Sequence, residues 1–167
     1  SWYMMELKPH KIDFSKEFAQ MKNTPEILDN GYDKTPNPFT EKDAIAFINQ
    51  HIGKKPEERF LIYWNNEVAG EIGITIKDDV FRLNAEIGYF ISKPFWGKGL
   101  ATEAVTCLLR WGFGTLKLHR IEAGVATENI HSIRLLEKVG MQREGLRRKI
   151  LPIDGVWKDN YLYAKLD

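Results

Sequence analysis

The first third of the chain carries short apolar segments that predict one strand and two helices. Residues 5–9 predict an edge strand, because Pro9 lacks the N–H group that would continue the pairing. Residues 14–22 repeat apolar side chains at the spacing of one helical face. A second helix is predicted to begin after Thr40, since Asp43 three residues later gives a sequence that resembles a capping box.

From residue 59 onward, the apolar positions alternate between the period of strands and that of helices. The polar pairs Asn65-Asn66 and Asp154-Gly155 indicate tight turns, so the strands that flank them are predicted to pair antiparallel. The order of elements predicts an α+β fold in a single domain over residues 1–167, without repeat or linker. The predicted elements are strands at 60–64, 68–76 and 84–91, a helix at 100–115, a strand at 120–125, a helix at 129–139, and strands at 142–150 and 156–164.

Composition excludes several classes of function. The 24 lysines and arginines against 23 aspartates and glutamates give a net charge of +1, which does not indicate direct binding to nucleic acid. The one cysteine, Cys107, excludes an intrachain disulfide framework and a cysteine-rich zinc site. Cys107 is expected on the buried stripe of its helix, as a structural thiol rather than a nucleophile. The four histidines lack metal-ligand spacing, so no metal is expected. No apolar run approaches the ~20 residues of a membrane span, so we expect a cytoplasmic protein without a membrane partner.

A glycine-rich loop between a predicted strand and a predicted helix is the segment richest in chemistry. Gly97 and Gly99 allow a sharp turn and a close approach of the backbone to a ligand. The first turn of the following helix offers unpaired N–H groups, which suit a phosphate. The alternative is that both glycines only shape the turn. A dinucleotide-binding fingerprint is excluded by Thr102, and a Walker loop by Ser92 and Gly99.

Two further segments accompany this loop in a fixed order. Residues 86–89 are Glu-Ile-Gly-Tyr, residues 96–104 are Trp-Gly-Lys-Gly-Leu-Ala-Thr-Glu-Ala, and residues 129–140 are Asn-Ile-His-Ser-Ile-Arg-Leu-Leu-Glu-Lys-Val-Gly. Together they resemble the GNAT acetyltransferase superfamily, most closely its branch of ribosomal-protein N-terminal acetyltransferases (RimJ/RimL-like). The resemblance covers roughly residue 59 to the C-terminus. It implies a mixed, mostly antiparallel sheet splayed between strands 4 and 5 and flanked by helices, with acetyl-CoA as co-substrate.

The resemblance assigns a set of residues to acetyl-CoA. The family's pyrophosphate loop has the form Gln/Arg-x-x-Gly-x-Gly/Ala, and Pro94 replaces its first residue here. The pantetheine arm is expected to run along the end of the preceding strand like an added strand. Asn129 matches the family residue that bonds this arm, and it is also a favoured helix N-cap. The expected cofactor-binding residues are Phe90, Ile91, Ser92, Trp96, Gly97, Lys98, Gly99, Leu100, Ala101, Thr102 and Asn129.

Two residues are expected to carry the proton transfers. Glu86 matches a glutamate that serves as general base in some members of the family, and the alternative is a structural carboxylate buried in its strand. The family's frequent general acid is a tyrosine at the position of Leu136, so that acid is missing. Ser132 is the nearest hydroxyl at a motif position and is expected to protonate the leaving thiolate. Its alternative role is a small residue that lets the helix approach the cofactor.

The resemblance implies an acetyl-CoA-dependent N-acetyltransferase whose acceptor is a primary amine. Near pH 7.4, an α-amine with a pKa of about 7.7–8.0 costs under ~1 kcal/mol to deprotonate, whereas a lysine-like amine costs about 4 kcal/mol. This favours a protein N-terminal α-amine, such as that of a ribosomal protein. The alternatives are acetylation of a polyamine or antibiotic, and a non-catalytic acyl-CoA-binding module. The resemblance to this branch is also compatible with a homodimer. A role on RNA rests only on the basic residues 147–149.

Overall fold

The fold consists of seven strands and four helices in the part of the chain that the structure describes, residues 4–24 and 36–167 of a computed structural model. The strands are β1 Met5–Pro9, β2 Arg59–Trp64, β3 Glu67–Ile76, β4 Asn84–Ile91, β5 Arg120–Ala126, β6 Gln142–Ile153 and β7 Val156–Leu166. The helices are α1 Ser15–Lys22, α2 Glu41–His51, α3 Leu100–Gly114 and α4 Ile130–Lys138. Every strand and helix predicted from the sequence is present, and the last two strands are longer than predicted.

The strands form one sheet in the order β1-β2-β3-β4-β5-β7-β6. The pairs β1–β2, β2–β3, β5–β7 and β6–β7 are antiparallel, whereas β4 and β5 are parallel. The predicted α+β class with a mixed, mostly antiparallel sheet is therefore confirmed. The polypeptide divides into two compact units. One consists of Ser1–Gly73 with Tyr89–Leu100, and the other of Ile74–Gly88 with Ala101–Asp167. The single-domain interpretation of residues 1–167 stays a prediction.

The core of the first unit is aromatic. Phe18, Phe39 and Ile48 are buried, with Phe90 of β4 packed against them. Helix α2 begins where the sequence predicts, because the Thr40 hydroxyl accepts a hydrogen bond from the Asp43 N–H (3.1 Å) and the Asp43 carboxylate accepts one from the Thr40 N–H (2.8 Å). The capping box thus fixes the start of the helix whose apolar face closes this core.

The second unit packs α3 closely against β5. A side chain at Gly112 would meet Ile121 Cδ1 at 2.6 Å, so the glycine allows this approach. The β6–β7 hairpin turns at Asp154 and Gly155, whose φ angles are +50° and +75°, as the sequence predicts. The prediction that Cys107 lies on the buried stripe of α3 is wrong, because Cys107 is exposed.

The parallel pairing of β4 with β5 is short. It joins Asn84–Glu86 to Arg120–Glu122, and Glu86 with Glu122 is its last pair. Within the second unit, neither Ile87 nor Gly88 has a partner on β5. The parallel pairing therefore ends after three residue pairs, which agrees with the splay expected between strands 4 and 5.

Candidate active site

The glycine loop of the first unit has the backbone that its sequence predicts. Gly97 and Gly99 have φ angles of +78° and +74°, in the left-handed region that favours glycine. A Cβ atom at either position would meet no heavy atom within 4 Å. Protein packing therefore leaves room at both glycines for a ligand to approach the main chain.

Hydrogen bonds hold this loop against the end of β4. The Ser92 N–H donates to the Ala69 carbonyl at 2.8 Å, and the chain then makes a 3₁₀ turn over Lys93–Phe95. Pro94 lies in this turn, where a missing N–H costs no hydrogen bond. The Trp96 indole then reaches back and donates to the Ile91 carbonyl at 2.7 Å. The Ile91 carbonyl, one of the expected pantetheine contacts, thus has one of its two lone pairs occupied.

The loop carries a positive charge on Lys98, between its two glycines. Lys98 Nζ lies 4.5 Å from the centroid of the Trp64 ring, within the range of a cation–π contact. The Phe95 ring packs edge-on against Trp64, with 6.2 Å between their centroids. Among the described residues no carboxylate lies within 4.0 Å of Lys98 Nζ, so its charge remains available to an anionic ligand.

The end of β4 holds an unsatisfied polar atom. Ser92 is 8% exposed, and its buried Oγ has no hydrogen-bond partner among the described residues. A buried hydroxyl of this kind calls for a ligand or water to complete it. The open glycine backbone, the Lys98 ammonium and the Ser92 hydroxyl together fit acetyl-CoA, which has an anionic diphosphate and an arm that contains amides.

The expected general base lies in the second unit. Glu86 is exposed, so the alternative of a buried strand carboxylate is wrong. Its paired position on β5 is Glu122, and paired residues of neighbouring strands project from the same face of a sheet. Glu86 is thus a water-accessible carboxylate that can accept a proton directly or through a water.

Two cations neutralise the neighbouring carboxylate. Glu122 accepts hydrogen bonds from Lys77 Nζ at 2.6 Å and from an Arg120 guanidinium N–H at 3.1 Å. Burial alone would raise the pKa of Glu122, but these hydrogen bonds outweigh it and hold the pKa below the usual range. Arg120 also makes a two-pronged contact with Glu144 at 2.7 and 2.9 Å, which raises the pKa of the arginine. The negative charge of Glu122, the residue paired with Glu86, is therefore compensated by Lys77 and Arg120.

The start of α4 brings Asn129 and Ser132 together. The Asn129 Oδ1 accepts a hydrogen bond from the Ser132 N–H at 3.1 Å, which confirms that Asn129 is the N-cap. Its Nδ2 group donates no hydrogen bond among the described residues. Leu136, which stands where the family's acid would be, is 1% exposed and belongs to the core. Ala101 and Thr102 lie in the first turn of α3, where both are half-buried.

Sequence reasoning missed one polar pair in the first unit. His10 Nε2 lies 2.7 Å from Glu71 Oε2, and His10 is 4% exposed. The pair joins the end of β1 to the middle of β3, across 61 residues of sequence. The one sequence signal was Glu71 itself, a charged residue in the middle of the mainly apolar strand β3. The described residues contain no cluster of three or more metal-ligating side chains, and none of their helices is long and apolar enough to cross a membrane.

Comparison with known proteins matches most of this chain to one family model. Residues 5–142 match the acetyltransferase (GNAT) domain. The probable N-acetyltransferase YjcK of Bacillus subtilis is 51% identical over 83 residues, which are 50% of this chain and 46% of YjcK. The uncharacterized N-acetyltransferase YnaD of the same organism is 38% identical over 130 residues, covering 77% of this chain and 75% of YnaD.

Two relatives with named acceptors also match. The spermidine N(1)-acetyltransferase of Escherichia coli is 28% identical over 145 residues, which are 87% of this chain and 76% of that enzyme. The [ribosomal protein uS5]-alanine N-acetyltransferase of E. coli is 40% identical over 78 residues, which are 47% of this chain and 40% of that enzyme.

Solved structures share the fold along nearly the whole chain. A GNAT-family acetyltransferase from Bacillus anthracis superimposes with a TM-score of 0.81 at 28% identity, covering 97% of this chain and 94% of that one. RimL, the ribosomal L7/L12 α-N-protein acetyltransferase, in complex with coenzyme A, gives a TM-score of 0.87 at 17% identity, covering 97% and 93%. The expected resemblance to the RimJ/RimL branch is confirmed at the level of the fold.

Proposed function

Because this chain belongs to the GNAT acetyltransferase family and is an acetyl-CoA-dependent N-acetyltransferase, we propose that it acetylates a primary amine, in the first place a protein N-terminal α-amine. The observation that carries the donor half of this proposal is the loop at Gly97 and Gly99. Its left-handed backbone, open on the side where a Cβ would stand, gives the N–H groups of the following helical turn access to a diphosphate.

The other residues proposed to bind acetyl-CoA belong to the end of β4, the glycine loop and the first turns of α3 and α4. Phe90, Ile91 and Ser92 offer the edge of β4 to the pantetheine arm, and Ser92 Oγ supplies a hydroxyl that still needs a partner. Trp96 and Lys98, with Leu100, Ala101 and Thr102 of the first helical turn, receive the diphosphate. Asn129 supplies its Nδ2 amide to the arm while its Oδ1 caps α4. No metal takes part in this scheme.

Two side chains carry the protons in the proposed reaction. The neutral amine attacks the thioester carbonyl carbon, a C–N bond forms, and the C–S bond breaks to release the CoA thiolate. Glu86, exposed on β4, takes the proton that the amine loses, directly or through a water. Ser132, half-buried in the first turn of α4, donates a proton to the thiolate and takes one back from a solvent water, so that the hydroxyl is restored.

The α-amine is favoured because its deprotonation costs less free energy than that of a lysine-like amine. It costs under ~1 kcal/mol to deprotonate near pH 7.4, against about 4 kcal/mol for a lysine-like amine. Leu136 stands in place of the tyrosine acid, so the site has fewer groups for proton transfer. Such a site suits the α-amine, which is the easier of the two amines to deprotonate. The uS5-alanine N-acetyltransferase among the relatives supports this choice, and the spermidine enzyme supports a polyamine as the second candidate.

A panel of acceptors tests the proposal. The protein is incubated with acetyl-CoA and, separately, peptides with free N-terminal Ala or Ser, N-terminally blocked lysine peptides, polyamines and aminoglycosides. We expect thiol release and a mass gain of one acetyl group for the free-N-terminus peptides. Acetylation of polyamines alone would replace the acceptor class, and CoA binding without any turnover would leave a non-catalytic module.

Three variants test the roles of the two proton carriers. Glu86→Gln and Ser132→Ala are each expected to lower kcat at least about tenfold with little change in acetyl-CoA affinity. Glu67→Gln is the control, because Glu67 is an exposed glutamate on β3 without an ion pair among the described residues. Unchanged kcat in Glu86→Gln would remove that residue from the mechanism.

A further inference from the structure

The pair of His10 and Glu71 in the first unit has no role in the scheme above. The His10 ring is almost completely buried, and its contact with Glu71 Oε2 uses Nε2. The His10 Nδ1 atom is buried and has no hydrogen-bond partner among the described residues. The arrangement fits a neutral imidazole that donates its Nε2–H to the carboxylate, because a protonated ring would leave a second N–H buried without an acceptor. His10 thereby fixes the position of one carboxylate oxygen.

Aromatic rings pack against the His10 side of this pair. The Phe18 ring meets His10 edge-on, with 4.6 Å between the ring centroids, and Phe47 lies 6.0 Å away in a similar orientation. The Glu71 side chain keeps 13% exposure, so the carboxylate is mostly desolvated but still reachable. Desolvating a carboxylate costs free energy unless a cation or several donors compensate it. His10 supplies one donor, so a cation is the group that would complete the compensation.

The chain has an ammonium group of its own within electrostatic range of this carboxylate. Lys22 Nζ lies 5.6 Å from the centroid of Phe90 and 5.7 Å from that of Phe39, both within cation–π range. Burial lowers the pKa of Lys22, and the negative charge of Glu71 partly opposes this shift. No carboxylate lies within 4.0 Å of Lys22 Nζ among the described residues, so the attraction to Glu71 acts across a gap. The local surroundings therefore accept an aliphatic ammonium without an ion pair that closes the site.

We propose that Glu71, held in place by His10, binds the acceptor amine as a primary alkylammonium, with the faces of Phe39 and Phe90 beside it and Lys22 as its competitor. This inference rests on the proposed function and adds the group that captures the acceptor. Amines of both candidate classes are mostly protonated near neutral pH, so a carboxylate and aromatic faces suit their arrival. Phe90 also belongs to the end of β4, where the pantetheine arm is proposed to run.

Because Lys22 competes with the amine for Glu71, substitutions at the two residues are expected to change the KM for the amine in opposite directions. Glu71→Gln keeps the shape and the contact with His10 but removes the charge, so the KM for the amine is expected to rise about tenfold. Lys22→Met keeps the apolar stem but removes the competing ammonium, so the KM for the amine is expected to fall about threefold. The KM for acetyl-CoA is expected to stay unchanged in both, and Glu67→Gln is the matched control on the same strand.

The measurement uses two readouts with two amine sources, a peptide with a free N-terminus and a diaminoalkane. Steady-state kinetics gives KM and kcat for each amine, and calorimetry gives amine binding to the CoA-loaded protein without turnover. Weaker amine binding in Glu71→Gln together with tighter binding in Lys22→Met supports the inference. Unchanged amine binding in both variants overturns it.

The outcomes separate this inference from the proposed function. If the unmodified protein transfers acetyl to no amine but binds alkylammonium through Glu71, the proposed function fails and the subsite stands. If transfer proceeds while both variants behave as the unmodified protein does, only the subsite fails. If Glu71→Gln loses CoA binding or does not fold, Lys22→Met decides alone, since unchanged KM there overturns the inference.

Discussion

The indole N–H of Trp96 donates a hydrogen bond to the main-chain carbonyl of Ile91 across 2.7 Å, and this contact joins the glycine loop to the end of β4. Trp96→Phe keeps an aromatic ring but removes the donor. We expect the acetyl-CoA dissociation constant to rise about three- to tenfold, because one net hydrogen bond of about 0.5–1.5 kcal/mol no longer sets the loop geometry. Calorimetric titration with CoA measures this. Trp157→Phe is the control, since that exposed tryptophan lies on β7, and equal losses in the two variants would contradict the prediction.

The two loop glycines allow a test in which backbone strain and ligand contact are separated. Gly97→Ala and Gly99→Ala are each expected to lower the free energy of unfolding by about 1 kcal/mol, because alanine is strained at positive φ. They are also expected to weaken CoA binding at least about tenfold, since the new methyl group occupies the open side of the loop.

Gly53 provides the matched control for this pair. Its φ angle is +76°, and a Cβ atom there would likewise meet nothing within 4 Å, but it lies after the end of α2. Gly53→Ala should show the same loss of stability in thermal unfolding with unchanged CoA affinity. If all three variants bind CoA as the unmodified protein does, the glycines only shape the turn.

The two roles of Asn129 can be separated by the choice of substitution. Asn129→Ser retains a good N-cap for α4 but lacks an amide that could reach the pantetheine arm. We expect unchanged thermal stability and several-fold weaker CoA binding. Asn129→Ala should in addition lose about 1 kcal/mol of stability through the lost cap. Unchanged CoA affinity in Asn129→Ser would reduce Asn129 to a structural cap.

Local chemistry explains which features could be predicted from the sequence. The capping box of Thr40 and Asp43, the turn at Asp154 and Gly155, and the bent loop around Gly97 each depend on residues only a few positions apart. Their propensities are strong enough that the fold does not override them. The order of elements and the shape of the glycine loop could therefore be predicted from the amino-acid sequence alone.

Long-range packing explains the rest. Strand alternation assigns Glu86 to a face but cannot say whether another element covers that face, and the structure leaves it exposed. The same ambiguity at the edge of a helical stripe made the prediction for Cys107 wrong. The contact of His10 with Glu71 joins residues 61 positions apart, and no local pattern specifies such a pair.

The ion pairs around Glu122 predict how stability depends on pH. Lys77 and Arg120 hold the pKa of Glu122 below its usual range, against the effect of burial. A carboxyl whose pKa is lowered in the folded state binds protons more weakly there than in the unfolded chain. Its stabilisation is fully present above the unfolded pKa of about 4.3 and is lost as the pH falls through the lower folded value. Glu122→Gln should therefore melt at a lower temperature than the unmodified protein at pH 7.

This difference in melting temperature should shrink as the pH falls from about 5 to 3, because the unmodified protein then loses the same charge. Melting curves followed by circular dichroism over this range measure it. Glu67→Gln is the control, since that glutamate is exposed and makes no ion pair among the described residues, and it should melt as the unmodified protein does at every pH. A difference for Glu122→Gln that stays constant down to pH 3 would mean that shape and packing at this position, rather than its charge, stabilise the fold.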